Sequence, residues 1–168
     1  MKNLDEDIIM EAFGIIYNRF PDLNRECDRN LIQELMYILR YFNVYLYSHA
    51  IEGIYPNYTI TPDGRVFSIL INEILNDLAK KKHKYPLSNR IRNKEEIKLA
   101  KDMLYDFHHT HKNIRLHDIV LVDYNIKNGK EIDNIQEEDL NDVLEFLQAI
   151  KRDKKHDYQR KRELLWMN

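Results

Sequence analysis

Residues 31–46 read Leu-Ile-Gln-Glu-Leu-Met-Tyr-Ile-Leu-Arg-Tyr-Phe-Asn-Val-Tyr-Leu. Wound as a helix, Leu31, Ile32, Leu35, Met36, Ile38, Leu39, Phe42, Val44, Tyr45 and Leu46 leave little polar surface on any side. A helix apolar over most of its circumference belongs in the middle of a bundle. The stretch predicts a central buried helix running from Asp28 or Asn30 to Tyr47.

Upstream, Ile8, Ile9, Ala12, Phe13, Ile16 and Phe20 fall close to a 3.6-residue stripe and predict a helix over Asp5–Arg19. Asp5, Glu6 and Asp7 suit the positive end of its dipole, and Pro21 stops it. Downstream, residues 48–65 are irregular, with Gly53, Pro56, Pro62 and Gly64. Tyr58-Thr59-Ile60-Thr61 alternates aromatic and β-branched residues, and Pro62-Asp63-Gly64 is a turn sequence, because proline presets φ and glycine accepts a left-handed position. The chain can return through Arg65-Val66-Phe67 as a hairpin. Residues 66–82 also read as a helix, with Phe67, Leu70, Ile71, Ile74, Leu75 and Leu78 as its stripe. The preferred reading is a short strand, the turn, then that helix.

Asn93 with Glu96 resembles a capping box ahead of a helix carrying Ile97, Ala100, Leu104 and Phe107. Ile119-Val120-Leu121-Val122-Asp123-Tyr124 reads as the clearest strand, and Asn128-Gly129 as a hairpin turn back through Glu131-Ile132. A last long helix begins between Gln136 and Asp139 and carries Leu140, Val143, Leu144, Phe146, Leu147 and Ile150. The expected fold is mainly α (α+β): a compact helical bundle around a buried central helix, with a small β-hairpin. Residues 1–150 are expected to form a single globular domain, followed by a basic C-terminal helix or tail over 151–168.

Composition narrows the function. With 43% hydrophobic and 32% charged residues in 168, the chain is neither disordered nor membrane-like. No apolar run approaches the roughly 20 residues that span a bilayer, so no membrane partner is expected. Met1–Asp7 is acidic where a secretion signal is basic and then apolar, which predicts a cytoplasmic protein. Cys27 is the only cysteine, which rules out an internal disulfide. There is no G-x-S-x-G elbow, and the four glycines are scattered singly, so neither a serine-hydrolase nucleophile nor a phosphate-cradling loop is indicated. No cofactor is expected, and an enzyme is the less favoured reading.

Three constellations remain. His108, His109, His111 and His117, flanked by Asp106 and Asp118, offer imidazole and carboxylate; a metal-dependent enzyme would use His108, His111, His117 and Asp118. The bland reading is that histidines near a helix C-terminus are favoured by its dipole. Two basic tracts, 80–92 and 151–162, are candidates for phosphate contact through Lys81, Lys82, Lys84, Arg90 and Arg92, and through Lys154, Lys155, Arg160 and Arg162. Solvated faces account for most such runs, and a net charge of −2 gives no global push toward nucleic acid. Finally, Leu164-Leu165-Trp166-Met167 ends a charged stretch with an apolar patch that either docks on the core or meets a partner.

Two segments together resemble the Panacea-domain (SocA-like) family, which includes many antitoxins. Leu31-Ile32-Gln33-Glu34-Leu35-Met36-Tyr37 stands where that family has L-x-K-L-L-Y, and Thr61-Pro62-Asp63-Gly64-Arg65-Val66-Phe67 where it has a G-P-V turn opening a helix. Gly129-Lys130-Glu131-Ile132 with the helix after Glu138 resembles its closing pattern, so the likeness runs over about residues 30–150. Glu34 replaces the family's lysine and Arg65 its proline. Separately, Tyr58–Ser68 is similar to a Y-x-I-S-x-x-G-R-V-x-S segment that contributes to DNA binding beside phage HNH nucleases. The first resemblance implies a non-catalytic regulator that acts by protein contact, neutralising a toxin in a bacterial or phage setting. Tyr58, Asp63, Arg65, Phe67, Leu165 and Trp166 are the residues expected to meet the partner. The alternatives are nucleic-acid binding through the basic tracts and metal-dependent catalysis at the histidines.

Overall fold

A computed structural model describes residues 2–46, 56–81 and 93–152. Lys82, Lys84, Arg90 and Arg92 lie outside the described residues, as do Lys154, Lys155, Arg160, Arg162, Leu165 and Trp166. The architecture is mainly α with one small two-stranded antiparallel hairpin, and the chain divides into two compact units, Met1–Lys101 and Asp102–Asn168. Among the described residues no helix is long and apolar enough to cross a membrane.

In the first unit, α1 (Lys2–Tyr17) buries Ile8, Ile9, Ala12, Phe13 and Ile16, the stripe the spacing predicts. It stops one turn before Pro21 because Asn18 turns left-handed at φ 55° while its N–H still bonds the Gly14 carbonyl. The central helix α2 (Glu26–Leu39) is buried continuously from Ile32 to Leu39. It is shorter than expected. A single 3-10 turn, Arg40–Phe42, follows it, and Asn43 then adopts φ 61°. The Asn43 N–H bonds the Arg40 carbonyl and the Val44 N–H reaches back to Leu39. Asparagine tolerates this left-handed geometry better than most residues, which makes it a helix stop. Val44 and Leu46 stay buried, so the apolar pattern continues after the helix ends.

Strands β1 (Tyr58–Ile60) and β2 (Val66–Ser68) pair with Tyr58 opposite Ser68, Thr59 opposite Phe67 and Ile60 opposite Val66. The turn predicted at Pro62–Gly64 joins them. The Gly64 N–H bonds the Thr61 carbonyl at 2.9 Å, the Thr61 N–H bonds the Arg65 carbonyl at 2.9 Å, and Gly64 sits at φ 82°. Proline second in the turn and a left-handed glycine closing it suit a three-residue hairpin loop. The following helix α3 (Ile69–Lys80) starts two residues after its apolar stripe begins, because Ser68 is its N-cap and accepts from the Ile71 N–H. Helix α4 (Lys94–Thr110) has residues 94–101 in the first unit, where Ile97 and Ala100 are buried, and 102–110 in the second.

The second unit overturns one expectation. Residues 119–124 belong to a helix, α5 (Leu116–Lys127), and Glu131-Ile132 is not a strand. A short branched apolar run fits a strand or a buried helix equally by periodicity. The flanks decide: the Asp118 carboxylate accepts the Arg115 N–H at 2.9 Å and so opens a helix. Asn128-Gly129 closes it. The Lys130 N–H bonds the Asn125 carbonyl, the Gly129 N–H bonds that of Ile126, and Gly129 lies at φ 63°. This paired pattern is the Schellman helix end, whose glycine resembles a hairpin turn in sequence. The small β element therefore sits at 58–68 and not at 119–132. Helix α6 (Glu137–Lys151) begins where predicted, with three acids in its first turn, and packs Val143, Phe146, Leu147 and Ile150 inward. The buried Asp123 of α5 is paired with Lys151.

Candidate functional site

One side of α2 is polar, although the helix is buried. Gln33 and Glu34 are 3% and 2% exposed. Buried polar groups need partners, and these find them on the hairpin. The Gln33 side-chain amide donates to the Ser68 carbonyl and accepts the Ser68 N–H, both at 2.9 Å. In an antiparallel pair alternate residues turn their peptide groups away from the partner strand, so Gln33 takes the place of a third strand at that rung. Glu34 pairs with Arg65 at 3.0 Å, and Arg65 also lies 3.8 Å from Asp63. One turn further along α2, Tyr37 meets Tyr58 edge-on at 5.0 Å, and from the 3-10 turn that follows the helix the Arg40 guanidinium lies over the Tyr58 ring at 4.8 Å. The hairpin is thus fastened to the central helix at three levels.

These fastenings separate the expected partner-binding residues. Tyr58 faces α2; its hydroxyl is shielded from solvent, and burial pushes the phenol above its ordinary range. Arg65 is one-third exposed and tied to Glu34. Asp63 stands exposed at the tip. Phe67 points to the opposite side with Thr59, its cross-strand neighbour. Ile69, the first residue of α3, is 65% exposed, the most exposed of the four large apolar side chains that stand in solvent among the described residues. Thr59 and Phe67 therefore form the outer surface of a hairpin whose inner surface is held, and Ile69 stands exposed at the start of the helix that follows.

The other candidates are placed differently. Lys81 pairs with buried Glu6 at 2.6 Å, and Lys94, just past the far end of the same basic tract, lies 3.6 Å from buried Glu11. Both carboxylates belong to α1. Desolvation holds the Glu11 carboxyl above its ordinary value, with Lys94 opposing that shift. Each end of the 80–92 tract is thus flanked by a lysine committed to a carboxylate of the protein itself. His108 and His109 are exposed in the last turn of α4. His111 stacks on Phe107 at 4.4 Å and faces Asp142 at 3.1 Å, while Asp118 opens α5. Among the described residues no three His, Cys, Asp or Glu side chains converge as a metal site would require.

Sequence reasoning missed Gln33, Glu34 and Arg40. Their signal was present: polar residues inside a stretch that must be buried have to be paired with something. No protein-family model, curated protein or solved structure matches the chain.

Proposed function

We propose that this is a non-catalytic binding protein that engages another protein through the outer surface of its hairpin and the first turn of α3. One observation carries the reading: Ile69 is 65% exposed where the helix leaves a hairpin that is anchored from behind by Gln33, Glu34 and Arg40. An apolar surface on a rigid support loses little conformational entropy when a partner lands on it. Aromatic anchors carry much of the energy of such contacts. Asp63 and Arg65, at the tip and flank, supply the polar rim.

The finer reading follows the Panacea resemblance: the partner is a toxin, the protein neutralises it in a bacterial or phage cytoplasm, and the segment ending in Leu165 and Trp166 adds to the contact. The test is co-purification from the native host with every abundant band identified, run in parallel on wild type and Ile69→Asp. A partner retained by the first and lost by the second supports the reading. Recovery of monomer alone contradicts it.

A further inference from the structure

The hairpin has two edges, and only one of them is closed. Thr61 and Arg65 form a bonded rung, the Thr61 N–H donating to the Arg65 carbonyl at 2.9 Å. In an antiparallel pair such rungs alternate with residues whose peptide groups turn outward. By the register, Thr59 and Phe67 face each other as the next bonded rung, whereas Tyr58, Ile60, Val66 and Ser68 turn theirs away from the partner strand. The two bonds between Gln33 and Ser68 fix the same phase from the other end. Along β2 the outward side lies against the protein: Val66 and Ser68 are buried, and Gln33 takes both bonds at Ser68. Along β1, nothing among the described residues bonds the outward N–H and carbonyl of Tyr58 or Ile60.

Peptide groups shut away from water without a partner are rare. The outward groups of Tyr58 and Ile60 therefore meet solvent, beside exposed Asn57 and Thr59. An unpaired strand edge is a template for a further strand, and proteins commonly blunt it with a charge or a proline. Tyr58-Thr59-Ile60 carries neither. Pro56 and Pro62 stand three residues to either side of Thr59, and neither has an N–H to donate. The open edge is thus short, uncharged and centred on Thr59.

We propose that a second copy of this chain pairs along this edge, β1 antiparallel to β1, with Thr59 opposite Thr59 of the other copy. In that register Tyr58 exchanges N–H···O bonds with Ile60 of the other copy, and Ile60 with its Tyr58. Every outward donor and acceptor of the two strands is then used, and a shift by two residues sets a strand residue against Pro56 or Pro62 instead. Asn57 falls opposite Thr61 of the other copy, so no like charges meet along the paired stretch. The contact is a closed two-fold, the commonest symmetry of soluble oligomers. It stops at two copies, because the outer edges of the resulting four-stranded sheet are the β2 edges that Gln33 already occupies. A lone two-stranded hairpin is marginal, whereas four strands is an ordinary sheet. The two-fold axis runs perpendicular to the sheet, so Thr59 and Phe67 of both copies stand in one row on its outer face. The surface proposed above for a partner is doubled and not covered, and the dimer does not depend on that partner.

The test is sedimentation equilibrium of the full chain from about 10 μM to about 1 mM, a range suited to so small an interface. Wild type should pass from monomer to dimer and no further, while the amide signals of Tyr58 and Ile60 shift with concentration. Thr59→Lys and Thr59→Glu each set like charges face to face and should each weaken self-association at least roughly tenfold. Thr59 is exposed, so both variants should keep the thermal midpoint of wild type. Mixed in equal amounts, the two variants should associate again. Ile69→Asp should dimerise like wild type, since Ile69 lies off this edge, so this proposal and the partner-binding reading fail separately. The proposal is overturned if wild type stays monomeric to about 1 mM or grows beyond a dimer. It is equally overturned if Thr59→Lys associates like wild type, if the mixed variants stay apart, or if Ile69→Asp abolishes the dimer.

Discussion

Gln33 and Ser68 exchange two hydrogen bonds at 2.9 Å, so that a side chain of the central helix completes the backbone of strand β2. Both residues are buried. Replacing Gln33 by Leu keeps the volume and strands the Ser68 N–H and carbonyl without water. Each unsatisfied group costs about 1–3 kcal/mol. We expect Gln33→Leu to lower the unfolding free energy by about 2–4 kcal/mol, read by urea denaturation. A loss below about 0.5 kcal/mol would mean that the clamp contributes nothing.

Glu34 is almost fully buried and Arg65 is one-third exposed, so their pair combines a desolvated carboxylate with a partly screened cation. Removing the cation harms the buried partner most. Arg65→Ala should destabilise by about 1–3 kcal/mol, discounted for the exposure of Arg65. Glu34→Gln in the Arg65→Ala background should recover part of that loss, because a neutral amide is cheaper to bury than a carboxylate that has lost its guanidinium. Equal stability of the single and double variants would count against the pair.

Asp28 carries the clearest pH signature. The bidentate bond from Arg19, at 2.7 and 2.8 Å, holds its carboxyl below the ordinary aspartate value of 3.8, helped by the Asp22 N–H. A depressed carboxyl stabilises the fold above its unfolded value, and that contribution is lost as pH falls through the folded one. Wild type should therefore lose stability on acidification below about pH 4 more steeply than Asp28→Asn. Chemical denaturation midpoints at a series of acidic pH values measure this directly, and parallel profiles would refute it.

Gly129 closes α5 at φ 63° with no atom near where a Cβ would stand. The penalty of a substitution there is conformational and not steric. Gly129→Ala should cost about 1 kcal/mol, visible as a lower thermal midpoint without loss of helical circular dichroism.

That glycine also shows where sequence reading reaches its limit. Asn128-Gly129 fits a hairpin turn and a helix end alike, and Ile119–Val122 fits either flank. Only the Asp118 bond to Arg115 and the Lys130 bond to Asn125 separate the two, and both depend on backbone geometry already formed. The Pro62-Asp63-Gly64 turn was legible because proline and glycine restrict φ locally. The stripe of α1, the core position of α2 and the acidic start of α6 were legible for the same local reasons. The inner half of the site was not, since Gln33 finds Ser68 thirty-five residues away. Nothing in local pattern specifies such a pairing, although buried polar residues announce that one must exist.

Ile69 offers the most direct test of the binding surface. It occupies the first turn of α3, where a carboxylate is favoured by the helix dipole, so Ile69→Asp should fold as well as wild type. The decisive measurement is affinity for the partner recovered from the native host, by calorimetry on wild type and Ile69→Asp, with matched thermal midpoints as the control. The account predicts a loss of at least roughly tenfold, about 1.4 kcal/mol. Unchanged affinity in a fully folded Ile69→Asp variant would contradict it.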